Sequence, residues 1–385
     1  MYKNNYLKNL LNIVLSAIIL IAFCFIVSIA VIYSHRVSNT KKNDYSFLNG
    51  LSNKVVLVIG DGMGKEHVKL NRSLEKYILE SKINGDVETN SLSIFGPTDS
   101  AASATAMATG VKVLNRRLSK NDRRDIKNIS EYTKEIGKGV GIVTTDMLTG
   151  ATPAAFSSHS LDRSYDEEII KGQAQSSIDI FLGKGKDLYL SHKNDFEENG
   201  YSIFTEKGEI DLNSNKIVGA FSQVDNTYRS DENHDILELT KIAIEFLEKK
   251  YGDKGYFLMI EEAHIDKNSH SNNIEGAADA VNGLYNVISY LDEYMKTCND
   301  FSFVLTSDHE TGDLIIDGTE YTNEMYHSKG HTKKNVYYLV KTNANIDNTK
   351  MPSTIDNTDI FKICKGLLTD EWWFQKFIFK KSLLL

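Results

Sequence analysis

The chain has 385 residues, of which 41% are hydrophobic and 25% charged. That composition argues against a disordered or fibrous chain and leaves room for one large α/β domain, or two smaller ones, without covalent staples. A formal charge of −8 speaks against a nucleic-acid surface, but it leaves a phosphate substrate open, because bound metal ions invert the local field. The three cysteines, Cys24, Cys298 and Cys364, have neither disulfide-framework nor metal-ligand spacing.

Taken in chain order, residues 1–10 form a short lead. Residues 11–33, "LNIVLSAIILIAFCFIVSIAVIY", carry no charge. As a helix this run is roughly 35 Å long, enough to cross a bilayer. A cleavable signal has a shorter apolar core and an A-x-A-like site, so an uncleaved anchor is the preferred reading and a removed signal the alternative. Residues 34–53 are polar and read as a linker to a domain spanning 54–385. Strands are expected at 55–59, 139–143, 256–260, 303–307 and 336–340, where apolar runs are short and β-rich. Helices are expected at 236–250 and from Glu275 to Cys298, where apolar residues recur at helical spacing. The Lys/Asn/Asp-rich region around 184–235 reads as irregular, with insertions. Alternating strands and helices predict a three-layer α/β sandwich with a mostly parallel central sheet covered by helices on both faces. Ligands bind such folds beyond the carboxyl ends of the strands.

The polar residues gather at those ends. Asp61 follows the first strand in "GDGMG". Glu261, Asp266 and His270 follow the third, and Asp308 and His309 the fourth. His331 precedes the fifth. Asp, Glu and His without Cys suit zinc and magnesium, and the donors outnumber what one tetrahedral ion uses. Asp266 and His270 share a helix face at i,i+4. Lone histidines such as His67, His192 and His234 read as surface residues. Ser100, in "TDSAASATAMATG", stands where a helix begins, which favours negative charge at its oxygen. Asp99 or Ser100 would serve as an N-cap in any case. Beside metal ligands, Ser100 reads as an activated nucleophile, with Asp99 orienting a cation. That cation is read as Arg163, whose guanidinium grips two phosphate oxygens in a fork. The Thr152 hydroxyl suits magnesium.

Together, "VVLVIGDGMG", "TDSAASATAMATGVK", "TTDMLTGATPAAFSSHSLDR", "YFLMIEEAHIDKNSH", "TSDHETGDL" and "GHT" resemble the alkaline phosphatase family, in the family's order, from residue 54 to about 340. The resemblance implies a phosphomonoesterase with two Zn2+ and one Mg2+. In it Ser100 becomes phosphorylated and Arg163, held by Asp99, clamps the phosphate. Asp266, His270 and His331 would hold one zinc; Asp61, Asp308 and His309 the other. Asp61, Thr152 and Glu261 would hold magnesium, and Lys267 would reach phosphate through water. It also implies small phosphate monoesters as partners, no nucleic acid, a homodimer as an assembly open to the chain, and an extracytoplasmic domain tethered by the N-terminal segment, or secreted if that is cleaved.

Three features depart from the family pattern. Gly150 stands where members commonly carry Asp or His, which predicts a weaker third metal site. Glu262 and His264 replace small or neutral residues. The ending "DEWWFQKFIFKKSLLL" has no family counterpart; it reads as docking on the core or lying on a membrane surface. The alternatives are a phosphodiesterase or sulfatase of the same superfamily, or an inactive membrane-tethered phosphate-binding protein.

Overall fold

Five apolar runs of the sequence become strands, and the sheet they form has ten. In chain order β1 is Lys54–Gly60, β2 Asn84–Glu88, β3 Gly139–Met147, β4 Ile180–Lys184, β5 Tyr201–Phe204 and β6 Lys216–Phe221. They continue with β7 Tyr256–Glu262, β8 Phe301–Thr306, β9 Glu310–Thr311, β10 His331–Thr332, β11 Val336–Thr342 and β12 Thr354–Asp356. This computed structural model describes residues 2–38, 43–224, 235–318 and 320–368. The large sheet runs β12-β2-β11-β8-β1-β7-β3-β4-β6-β5, and β9 with β10 makes a separate ribbon. Every pairing in the large sheet is parallel except those of β11 with β2 and β8.

The sheet is buried on both faces, which is why its strands read as continuous apolar runs rather than alternating ones. Along β1, Val55, Leu57 and Ile59 face one core, while Val56 and Val58 face the other. Helices Ser100–Thr109, Ala151–Ser157 and Asn357–Leu368 cover the first face; Ile236–Tyr251 and Ile274–Met295 cover the second. The result is the three-layer α/β sandwich expected. The Ser100–Thr109 helix is buried along its whole length. Its Ala and Ser side chains let it pack tightly against the Ala151–Ser157 and Asn357–Leu368 helices.

The region around 184–235 is more regular than its sequence reading: up to Val224 it carries β5 and β6, which extend the sheet past β4, while residues 225–234 lie outside the described residues. Residues 43–53, within the stretch read as a linker, lie on the Asn357–Leu368 helix. Leu48 is buried there, and the amides of Gly50 and Ser52 donate to the Gly366 and Leu367 carbonyls at 2.9 and 3.0 Å.

The chain divides into two units, Met1–Lys41 and Lys42–Leu385. The first contains one helix, Tyr2–Ser38. Its Leu10–Ile29 stretch has a mean hydropathy of 3.0 with none of it buried, so it is long and apolar enough to cross a membrane. The ending from Asp370 onward, with Trp372 and Trp373, lies outside the described residues, as does His234.

Candidate active site

Strand register brings the acidic residues to one edge. Ile59 of β1 pairs with Glu261 of β7 on one side and Thr306 of β8 on the other, while Thr144 of β3 also pairs with Glu261. The chain leaving β1, β7 and β8 therefore delivers Asp61, Glu261–Asp266 and Asp308–His309 to neighbouring points, in the crevice where parallel sheets bind ligands. Gly62 makes the first turn fit. Its φ is +70°, and a Cβ there would lie 2.8 Å from Asp266 Cβ.

The side chains are held by bonds that leave their site-facing atoms free. Asp308 Oδ1 accepts from the amides of Gly62 (3.0 Å) and His309 (2.8 Å), so Oδ2 is turned toward His309 Nε2, 3.0 Å away. His270 Nδ1 lies 2.5 Å from the Lys329 carbonyl and His331 Nδ1 2.9 Å from the Thr98 carbonyl. A carbonyl only accepts, so both rings donate from Nδ1. In the neutral ring Nε2 is then a lone pair. The Thr311 hydroxyl donates to Asp266 Oδ1 at 2.5 Å, so it accepts from His309 Nδ1 at 3.3 Å. In the neutral His309 ring Nε2 is then an acceptor too, and the Ser100 hydroxyl donates to it at 3.2 Å.

These lone pairs converge. Nε2 of His270 and His331 are 3.2 Å apart, and the His309 and His331 rings stack at 3.6 Å. Asp266, His270 and His331 form one set of mutually close ligand atoms; Asp61, Asp266 and His309 form another, so Asp266 faces both. Oδ1 of Asp61, Oδ2 of Asp308 and Oγ1 of Thr152 are buried without a hydrogen-bond partner. Facing lone pairs and orphaned oxygens are unfavourable unless a cation lies between them. The donor set of carboxylates, imidazoles and a hydroxyl fits zinc and magnesium.

The electrostatics agree. Burial, then the Asp308 and Asp266 charges, raise Asp61 well above the carboxylate range. Burial and the charge of Asp146 push Glu261 up to about 8. Burial also opposes ionisation of Asp266 and Asp308, but His270 holds the first below its usual range and His309 the second. The hydrogen bond with Asp266 raises His270 to about 8, while burial and the His309 charge lower His331 to about 4. A pocket holding this much negative charge with one nearby guanidinium is built for divalent cations.

Ser100 opens its helix and is nearly buried. Asp99 is the N-cap, accepting from the Ala102 amide at 3.0 Å and from the Arg116 amide at 3.0 and 3.1 Å. It also meets Arg163, whose Nη1 is 3.5 Å from Oδ2. Asp99 thus caps the helix and pairs with Arg163 at once. Such a site can pass an anionic group to a serine oxygen.

One expectation changes. His67 is not a surface residue: it is fully buried, its Nε2 is 2.9 Å from Ser269 Oγ, and burial lowers its pKa to about 3. His192 is at the surface as expected, partly covered, with Nδ1 3.1 Å from the Leu188 carbonyl and Nε2 3.2 Å from the exposed Glu167. Glu262 is structural. Its Oε1 accepts from the Thr145 hydroxyl (3.0 Å) and the His264 amide (2.9 Å), fixing the turn after β7. Sequence reasoning missed Asp146, which pairs with Lys267; the sign was an acid four residues ahead of the unexpected Gly150.

The alkaline phosphatase family model matches residues 52–182 and 183–365. Alkaline phosphatase 4 of Bacillus subtilis (strain 168) is 30% identical over 316 residues, 72% of this chain and 65% of its own. The tissue-nonspecific isozyme of alkaline phosphatase from Homo sapiens is 25% identical over 334 residues, 67% of this chain and 63% of its own. The alkaline phosphatase of the Antarctic bacterium TAB5 superposes with a TM-score of 0.72 at 25% identity, covering 82% of this chain and 98% of that structure. This chain spans 65% and 62% of the length of two Bacillus subtilis relatives.

Proposed function

The chain belongs to the alkaline phosphatase family, and on that premise we propose that it hydrolyses phosphate monoesters through a phosphoserine at Ser100. In this reading Asp266, His270 and His331 hold one zinc, and Asp61, Asp308 and His309 a second. Asp61, Thr152 and Glu261 hold magnesium. Bound there, the ions supply Lewis acidity, lowering the pKa of coordinated oxygens and stabilising charge on the entering and departing ones.

The chain's own groups do the rest. Ser100 Oγ attacks phosphorus in line with the leaving oxygen. The Ser100 hydroxyl lies 3.2 Å from His309 Nε2, beside the second cation site, and a cation held there would lower its pKa so that its proton passes to solvent. The helix N-terminus beneath Ser100 favours the same charge. Arg163 grips two phosphate oxygens and Asp99 fixes its direction. Water then displaces the phosphoryl group from Ser100, with the same residues in place. The observation that carries the reading is the Ser100 hydroxyl hydrogen-bonded to a histidine within a cluster of orphaned carboxylates.

The apolar Leu10–Ile29 stretch supports a membrane tether; the phosphomonoesterase reading, not the flanking charge, puts the catalytic unit outside the cytoplasm. Protease added to intact cells would then digest that unit; full protection would exclude this topology.

Substrate class is tested with p-nitrophenyl phosphate and bis(p-nitrophenyl) phosphate, using protein loaded with zinc and magnesium. The monoester is expected to turn over at least about 100-fold faster, because with two phosphate oxygens on Arg163 only a monoester keeps a third free oxygen for the cation site. Preference for the diester, or for a sulfate ester, would replace this reading.

A further inference from the structure

Gly150 precedes the Ala151–Ser157 helix with φ −56°, a conformation that any residue adopts. Space, not backbone freedom, excludes a side chain there. A Cβ on Gly150 would lie 2.8 Å from Asp146 Oδ2 and 2.8 Å from the Met147 carbonyl oxygen. The volume that a side chain at 150 would enter is taken by the Asp146 carboxylate.

Asp146 reaches that volume because of how β3 ends. Pairing between β3 and β4 shifts register between Val143 and Met147. The Asp146 amide donates to Thr144 Oγ1 at 2.9 Å, and the same hydroxyl donates to the Glu261 carboxylate. One hydroxyl thus ties the Asp146 backbone to Glu261. Asp146 Oδ1 pairs with Lys267, the residue after Asp266. Thr152, two residues past Gly150, is fully buried, with its hydroxyl beside Glu261.

We propose that Asp146 is a positioning residue of the third cation site: seated over Gly150 and tied to Glu261 through Thr144, its carboxylate raises the magnesium affinity of Asp61, Thr152 and Glu261 and holds Lys267 in place. The proposal rests on the alkaline phosphatase reading. It reverses the weak third site that Gly150 alone predicts, because the acid is supplied from the strand end instead of the helix start.

The test is calorimetric titration of Mg2+ into zinc-loaded protein. Asp146→Asn keeps the shape and removes the charge, and is expected to weaken Mg2+ binding about 10- to 100-fold while zinc content stays unchanged. Lys267→Met removes the counter-charge on Asp146, and is expected to tighten Mg2+ severalfold. A merely structural role for Asp146 would not move affinity in opposite directions in the two variants. Wild-type Mg2+ affinity in folded Asp146→Asn overturns the proposal, and so does weaker binding in Lys267→Met. Wild-type protein that takes up zinc and hydrolyses monoesters without binding Mg2+ overturns this proposal alone. Wild-type protein that takes up no zinc overturns the alkaline phosphatase reading with it.

Discussion

Ser100→Ala lowers kcat for phosphate monoesters by about 10^4-fold or more and leaves the fold and metal content intact. Ser100 Oγ makes a bond to His309 Nε2 and faces the cluster of orphaned oxygens. The helix behind it does not need that hydroxyl, because Asp99 supplies the N-cap. Removing one small polar atom leaves no sizeable cavity, and alanine is the better helix former. Stability is therefore expected within about 1 kcal/mol of wild type. Turnover by Ser100→Ala at a tenth of the wild-type rate would mean that another group attacks phosphorus.

Chelation is expected to have a comparable effect on activity and a distinct effect on stability. Without cations, Asp61, Glu261, Asp266 and Asp308 share one buried region. Glu261 has a folded pKa of about 8 against an ordinary 4.5, raised by burial and Asp146. An acid with a raised folded pKa binds more protons folded than unfolded between those values, so stability falls as pH rises through them. His270, raised from 6.5 to about 8 by Asp266, acts in the same direction, since its contribution is lost as pH climbs through the folded value. His331, lowered from 6.5 to about 4, opposes them only below about 6.5. The window is therefore pH 6.5 to 8. Metal-free protein is expected to have a lower Tm at pH 8 than at pH 6.5. Zinc and magnesium remove the drop and raise Tm, because ligands that bind only the native state stabilise it, by about 4 kcal/mol at a thousand times Kd. A metal-free Tm that rises across the window, or that does not respond to the ions, would contradict the account.

Much of the site was legible because a parallel sheet buried on both faces leaves its polar residues at the strand ends. Asp61, Glu261, Asp308 and His309 could be found by looking just past each apolar run. Asp266 and His270 could be paired from their i,i+4 spacing, which the His264–His270 helix realises. Strand direction was not legible: "VYYLV" reads like the other buried runs, yet β11 is antiparallel to both neighbours. β2, "NGDVE", buries one side chain and gives no apolar signal. β6 was diluted by the Asn- and Asp-rich sequence around it. His67 was misread because its neighbours, Lys65 and Glu66, are polar, while burial comes from packing beside Ser269 and Tyr326, more than two hundred residues on. Asp146 was missed because its role depends on a register shift and on space above Gly150, neither of which is local.

The proposed passage of phosphate through Ser100 is tested by mass spectrometry of peptides from wild-type protein quenched in acid during turnover of p-nitrophenyl phosphate. The account predicts one phosphoryl group on the peptide carrying Ser100, absent from Ser100→Ala. Steady turnover with no phosphoryl group on that peptide, at any quench time, would contradict it.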